Sequence, residues 1–85
     1  MWVIQNERRA EKALKRLAPE VRERIRSKIL ALAENPYASH LDVKKLVDYP
    51  AYRLRIGDWR VIYELKNNHM IILVVDVGHR REVYN

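Results

Sequence analysis

Apolar residues recur at the spacing of one helical face in two stretches of the first half of the chain. They are Ala10, Ala13, Leu14 and Leu17 in the first stretch, and Val21, Ile25, Ile29, Leu32 and Ala33 in the second. Pro19 suits the first turn of the second stretch, where its missing N–H costs nothing, and Asn35 and Pro36 end it. The pattern therefore predicts two helices, each with one apolar face.

The second half of the chain alternates with a period of two, which is typical of strands. Before the pair Gly57 and Asp58, apolar positions alternate with arginines in the order Tyr52, Arg53, Leu54, Arg55, Ile56. After that pair the alternation continues as Trp59, Arg60, Val61, Ile62, Tyr63, Glu64, Leu65. This predicts a β-hairpin with a two-residue turn.

Three further segments complete the predicted fold. Residues 2–5 are rich in β-forming residues and predict a short first strand. Residues 70–77 follow a turn at Asn67 and Asn68 and are apolar at nearly every position, as expected of a central strand covered on both faces. Residues 35–50 indicate an irregular connection with a short extended piece around 43–47. We therefore predict an α+β fold of order β-α-α-β-β-β, an antiparallel sheet with two helices packed on one face.

The composition limits the size and the location of the protein. With 85 residues we expect one domain, residues 1–85, and the 48% hydrophobic and 33% charged residues suit a compact fold. The chain has no cysteine, so disulfides and thiolate metal sites are excluded. Residues 1–7 contain no basic leader before a long apolar stretch, and the longest apolar run, residues 70–75, is too short to span a bilayer. We predict a cytoplasmic protein with no membrane partner.

The charge balance points to an anionic partner. The formal net charge of +6, from 17 Lys and Arg against 11 Asp and Glu, attracts RNA, DNA or acidic protein segments. The alternative is that the surplus charge only keeps a small protein soluble. The outer face of the second helix carries Arg22, Arg26 and Lys28, which we predict to be solvated, with a binding role as the alternative. The placement of the other arginines has to decide between these interpretations.

Counting outward from the hairpin turn gathers three arginines on one face of the sheet. Arg55 falls opposite Arg60, and Arg53 opposite Ile62, on the face that the helices leave uncovered. Cations placed across a strand pair repel each other unless an anion lies between them, and the guanidinium fork suits a phosphate. The alternative is a solvated face with Glu64 nearby as a partial neutraliser.

The segment after the last strand carries more of the same chemistry. Counting across the turn at Asn67 and Asn68 places Val75 and Val77 on the arginine side, and Gly78 permits a turn into residues 79–84. An imidazole, two guanidiniums and a phenol then follow, which with the sheet arginines are the groups needed to cut RNA without a metal. The three histidines are scattered and no carboxylate cluster is present, so we predict no metal site and no cofactor.

Two segments of this sequence resemble the RelE family within the RelE/ParE toxin superfamily. They are YRLRIGDWRVIY at residues 52–63 and VDVGHRREVY at residues 75–84, and the similarity spans essentially the whole chain. The resemblance implies the toxin of a type II toxin-antitoxin system, a ribosome-dependent endoribonuclease that cleaves messenger RNA. The family's active-site positions correspond here to Arg53, Arg55, Arg60, Arg80 and Tyr84.

The resemblance also implies a role for each residue. Arg53 and Arg60 would hold the scissile phosphate, Arg80 would stabilise charge or assist the leaving oxygen, and Tyr84 would stack on a base of the codon. Where this chain has arginine on the second strand the family often has lysine, which, unlike arginine, is able to act as a base. His79 is therefore our candidate for the base, because histidines ordinarily titrate near neutrality, and the alternative is a plain turn residue.

The family also suggests the partners and the main rival interpretation. A RelE toxin implies a cognate RelB-like antitoxin, the ribosome A site and messenger RNA as partners. The chief alternative is a ParE-like inhibitor of DNA gyrase, which has the same fold and needs no catalytic residues. A third interpretation is a non-toxic partner-binding or DNA-binding module that uses only the basic surface. The arginine cluster with Tyr84 favours RNA cleavage.

Overall fold

The structure is a computed structural model that describes residues 1–80. It contains the predicted strand, two helices and three strands, and the extended piece expected around residues 43–47 is a further short strand. The elements are β1 (Val3–Asn6), α1 (Arg8–Lys15), α2 (Pro19–Glu34), β2 (Val43–Lys45), β3 (Tyr52–Ile56), β4 (Trp59–Lys66) and β5 (Ile71–His79), with a 3-10 helix at Asn67–His69.

The five strands form one mixed sheet in the order β1-β5-β4-β3-β2. The pairs β2/β3, β3/β4 and β4/β5 are antiparallel as predicted, whereas β1 lies parallel to β5, so the prediction of a wholly antiparallel sheet is wrong for this pair. No short turn joins β1 to β5, and the periodicity of a strand contains no information on the direction of its partner. The strand β5 lies inside the sheet, between β1 and β4, which explains why it is apolar along most of its length.

The hairpin of β3 and β4 has the predicted register, with Ile56 opposite Trp59 and Leu54 opposite Val61. Gly57 adopts a positive φ of 59°, the conformation that a tight hairpin turn requires and that glycine adopts without strain. The predicted helix-side face of the hairpin is confirmed, because its side chains share one buried core with the two helices. That core includes Leu54, Ile56, Val61, Tyr63, Ala10, Ile25, Ile29 and Leu32.

The last strand contains an irregularity that the sequence pattern did not predict. A bulge shifts the register between Ile62 and Tyr63, so that Tyr63 lies opposite Val74 whereas Ile62 lies opposite Asp76. The extra residue, Val75, stays on the arginine side as predicted. The prediction for Val77 is wrong: it lies opposite Val61 and is buried in the helix-side core, because one inserted residue reverses the alternation beyond it.

The face of the sheet opposite the helices is only partly open, contrary to our expectation. The segment between β2 and β3 folds over it and buries Leu46 and Ala51 against Ile62, with Val75 packed beside them. This second, smaller cluster shields the middle of the face. The arginines therefore lie at the end of the sheet formed by the hairpin turn, next to an apolar patch rather than on a bare polar surface.

The buried hydroxyl of Tyr63 allows a test of how the main core contributes to stability. Its side chain is fully buried, and its hydroxyl forms no hydrogen bond with any atom of residues 1–80. Burial raises the pKa of Tyr63 far above the ordinary value for tyrosine, with smaller contributions from Tyr52 and Tyr37. Tyr63→Phe should change the free energy of unfolding by less than about 1 kcal/mol, because no satisfied hydrogen bond is lost. Urea unfolding checks this, and a loss of about 2 kcal/mol or more would contradict it.

Candidate active site

Arg53, Arg55 and Arg60 occupy the positions that the hairpin count predicted. Arg55 on β3 lies directly opposite Arg60 on β4, and Arg53 lies opposite Ile62, one diagonal step from Arg60. Directly opposed side chains and their diagonal neighbours on one face of an antiparallel pair are within reach of each other when the side chains are long. The structure thus brings the three guanidiniums to one end of the sheet.

Arg60 is the buried member of this group, with 9% of its surface exposed. Its Nη1 donates hydrogen bonds to the carbonyl oxygens of Gly57 at 2.9 Å and Trp59 at 3.0 Å, so the guanidinium folds back toward the hairpin turn. Its Nε is buried as well and forms no hydrogen bond within residues 1–80. Across β4 and β5 the residue opposite is Gly78, which places no side chain beside it.

The surroundings of Arg60 disfavour its charge. Burial lowers the pKa of Arg60, and the nearby positive charges of Arg53, Arg55 and Arg80 lower that pKa further, whereas the carboxylate of Asp58 raises it. The cluster therefore contains more positive charge than its own carboxylate balances. An anion such as a phosphate diester oxygen would relieve this imbalance if it bound among these side chains.

The hairpin turn holds Arg80 beside the other arginines. The Arg80 main-chain N–H donates to the carbonyl oxygen of Asp58 at 2.8 Å, and its Nη1 lies 3.7 Å from the Asp58 Oδ1. Both side chains are more than half exposed. The sequence analysis interpreted Asp58 only as a turn residue. The structure shows that it also connects the end of β5 to the arginine cluster.

Arg55 also has a carboxylate partner that the sequence analysis missed. Its Nε lies 2.7 Å from the Oδ2 of Asp42, and its main-chain N–H donates to the Asp42 carbonyl oxygen at 2.9 Å. Glu64, which the alternative of a solvated face made a partial neutraliser, forms an ion pair with Lys66 at 2.8 Å. The carboxylates that balance the cluster are therefore Asp42 and Asp58. Asp42 lies in the irregular connection, where periodicity predicts no contact.

His79 is near the cluster but on the other face of the sheet. It lies opposite Trp59, and the two rings meet edge to face with centroids 5.5 Å apart and an angle of 83° between their planes. Trp59 packs against the helix-side core, so the imidazole is not brought among the arginines. Tyr84, the remaining predicted site residue, lies outside the described residues.

The outer face of α2 differs from the prediction at one residue. Arg26 and Lys28 are exposed as expected, whereas Arg22 is half-buried and its Nη2 donates to the Leu17 carbonyl oxygen at 3.1 Å. Arg22 thus satisfies a carbonyl at the end of the segment between the helices. Within residues 1–80, no group of three or more His, Cys, Asp or Glu residues is placed to hold a metal ion, and no helix is long and apolar enough to cross a membrane.

Comparisons with known proteins agree over almost the whole chain. The mRNA interferase toxin RelE of Escherichia coli K12 is 27% identical over 86 residues, which cover 99% of this chain and 90% of that protein. A chain of the archaeal RelE-RelB complex from Pyrococcus horikoshii superposes with a TM-score of 0.80 at 26% identity, covering 96% of this chain and 98% of that one. A chain of the intact E. coli RelBE toxin-antitoxin complex gives 0.80 at 23% identity, covering 93% and 96%. A family model described as the ParE toxin of the type II toxin-antitoxin system parDE matches residues 4–84. The chain therefore belongs to this RelE/ParE family of toxins.

Proposed function

We propose that this protein is the toxin of a type II toxin-antitoxin system and an endoribonuclease that cleaves messenger RNA on the ribosome. The observation that carries the proposal is the buried side chain of Arg60, surrounded by Arg53, Arg55 and Arg80, four cations against the two carboxylates of Asp42 and Asp58. A protein that acts only by binding gyrase has no need of a buried cation whose Nε forms no hydrogen bond within residues 1–80 and which lies among three other cations. The likeness to a named mRNA interferase supports the same choice.

In the proposed reaction the ribose 2′-oxygen attacks the adjacent phosphorus, and the bond from phosphorus to the 5′-oxygen breaks. The products are a 2′,3′-cyclic phosphate and a free 5′-hydroxyl, and the leaving 5′-oxygen takes its proton from solvent. Arg53 and Arg60 hold the non-bridging oxygens, on which negative charge builds in the transition state. Arg55 adds to this field, and Arg80 stabilises the charge on the leaving oxygen. Tyr84 stacks on a base of the codon.

The arginines are poorly suited to accept the 2′-hydroxyl proton as a general base, because arginine keeps its own proton. We assign the 2′-hydroxyl proton to His79, which requires the end of β5 to twist when RNA binds, because a strand side chain does not reach the opposite face of the sheet by turning its ring alone. His79→Gln should slow single-turnover cleavage by about 100-fold or more, because the variant lacks the proposed general base, while its affinity for RNA should be unchanged. Single-turnover rates and binding titrations check this. Cleavage by the variant at the wild-type rate would remove His79 from the mechanism.

Cleavage should need no metal bound to the toxin, because the proposed site consists of guanidiniums. Toxin that has been treated with a chelator and then desalted should cut ribosome-bound message at the untreated rate, with the ribosomes kept in their own Mg²⁺ buffer. A message with one 2′-deoxynucleotide at the cut position should resist both preparations. Loss of activity that added zinc or manganese restores would contradict the metal-free mechanism.

The partners follow from the same proposal. A RelB-like antitoxin with an acidic, partly disordered segment would fold over the basic face and neutralise it, as coupled folding and binding allow. The ribosome A site presents the message, so the protein acts in the cytoplasm. Expression of the toxin alone should stop growth, and coexpression of the antitoxin should restore it. Growth arrest with intact messages and inhibited supercoiling would instead identify a gyrase inhibitor.

A further inference from the structure

A second basic site lies on the helix side of the sheet, at the end where β4 begins and β5 ends. It is a cleft of about 450 Å³ between α1 and these two strands. Its lining includes Arg9 and Lys12 of α1, Arg16 directly after that helix, Asp76, Trp59 and Gly78. None of these residues belongs to the arginine cluster described above, and the cleft opens on the other face of the sheet.

The cations of the cleft lie on one face of α1 and its C-terminal cap. Arg9, Lys12 and Arg16 are spaced three and four residues apart, so their side chains point the same way. Arg9 forms an ion pair with Asp76, with its Nε 3.5 Å from the Oδ2, whereas neither Lys12 nor Arg16 forms one within residues 1–80. Basic residues near a helix C-terminus are favoured by the helix dipole, but the dipole does not require them to share a cleft.

Trp59 gives this basic cleft an aromatic wall. Its indole is half-buried, with the His79 ring nearly perpendicular to it, and it lines the cleft together with Val77 and Gly78. Cations beside a flat aromatic surface are the combination that binds single-stranded nucleic acid, because the cations contact phosphates while the ring stacks on a base. A purely structural tryptophan would not need beside it Lys12 and Arg16, neither of which forms an ion pair within residues 1–80.

The position of the cleft connects it to the cleavage site. Trp59 directly precedes Arg60, and Gly78 both lines the cleft and lies opposite Arg60. Gly78 has no side chain to block a strand of RNA that passes round this end of the sheet. Arg80, a member of the arginine cluster, follows Gly78 by only two residues. One RNA chain is therefore able to touch the arginine cluster and the cleft together.

We propose that this cleft binds a second nucleotide of single-stranded RNA, with Lys12 and Arg16 contacting its phosphate and Trp59 stacking on its base. The inference rests on the proposed ribonuclease function and adds a substrate-binding site to it. The same chemistry belongs to a nucleotide of the message beside the cut phosphate and to an unpaired nucleotide of ribosomal RNA, and the experiment below separates these sources.

The direct test is a titration with a 2′-O-methyl hexaribonucleotide, which lacks the hydroxyl needed for cleavage. The chain has two tryptophans, so the indole N–H resonance of Trp59 is read in the same spectrum as that of Trp2. We expect the Trp59 resonance to shift on binding and that of Trp2 to stay in place. No response of Trp59 at saturation would overturn the proposal.

Two matched double variants measure the contribution of the cations. Lys12→Ala with Arg16→Ala should weaken binding at least about tenfold and reduce the slope of log affinity against log salt by about 0.7, for the one phosphate that the two cations contact. Arg8→Ala with Lys15→Ala removes the same charge from exposed positions of the same helix that do not line the cleft, and should change the affinity less than about twofold. Equal losses in the two doubles would also overturn the proposal.

Ribosome binding then identifies the source of the nucleotide. If the cleft binds the message, the Lys12 and Arg16 double variant should bind vacant ribosomes normally and lose affinity only for programmed ones. If the cleft binds ribosomal RNA, both losses should be equal. A wild-type protein that shifts the Trp59 resonance with RNA but never cleaves message would refute the proposed function and leave the RNA site standing.

Discussion

Arg60→Ala should slow single-turnover cleavage on programmed ribosomes by about 100-fold to 1,000-fold. The guanidinium of Arg60 is buried at the centre of the cation cluster, where a contact with the transition-state phosphate is poorly screened by solvent. Losing one preorganised donor to a developing oxyanion costs about 2.7 to 4 kcal/mol, which is the source of this estimate. Rapid-quench measurement of the cleaved message gives the rate directly.

The stability of the same variant tests the structural account of the cluster. Alanine removes the two hydrogen bonds from Nη1 to the hairpin turn, which costs about 1 to 3 kcal/mol, but it also relieves the repulsion from three arginines and the cost of burying a charge. We expect a folded protein with a modest change in melting temperature. If the alanine variant unfolds, Arg60→Lys keeps the charge and allows the rate to be measured.

The control for this experiment has to be an arginine outside the site with no structural contact. Arg22 is unsuitable, because its side chain binds the Leu17 carbonyl oxygen. Arg24 is exposed on α2, so Arg24→Ala should leave the melting temperature unchanged and the cleavage rate within about twofold of the wild-type rate. A folded Arg60→Ala variant that cuts at the rate of Arg24→Ala would refute the proposed site.

The sequence predicted the register of the hairpin because a local feature fixes it. Gly57 permits the positive φ of a two-residue turn, and once the turn is placed, strict alternation assigns every side chain from Tyr52 to Tyr63 to a face. No such local signal marks the bulge at Val75, because it lies in a run of apolar residues that continues up to Asp76 and contains no glycine or proline. The side of Val77 was therefore predicted wrongly.

The candidate site was predictable to the same extent. The cations of β3 and β4 follow from the hairpin register, and the structure places them as expected. The carboxylate partners of the cluster do not follow from it: Asp42 reaches Arg55 from a segment thirteen residues away that has no periodicity, and Asp58 meets Arg80 where the hairpin turn lies beside the end of β5. Contacts between segments distant in sequence depend on the tertiary fold, which alternation alone does not specify.

Arg80→Ala should also slow cleavage by about 100-fold to 1,000-fold, because the lost cation is proposed to act on the leaving oxygen in the transition state. The side chain is half exposed, and its ion pair with Asp58 is a surface pair of the kind that is worth at most about 1 kcal/mol, so the melting temperature should hardly change. Thermal melting and single-turnover cleavage measure the two effects. A large loss of stability would show that Arg80 is a structural residue.

Asp58→Asn tests whether Asp58 contributes to cleavage by positioning the guanidinium of Arg80. The main-chain carbonyl that accepts the Arg80 N–H is retained, but the guanidinium loses its carboxylate, and the cluster gains one unit of net positive charge. RNA binding should therefore stay the same or tighten, while the cleavage rate at saturation falls about tenfold because Arg80 is less precisely placed. In the Arg80→Ala background the same substitution should have no further effect on the rate, since the residue it positions is gone. An equal loss in both backgrounds would mean that Asp58 acts on the reaction by a route that does not pass through Arg80.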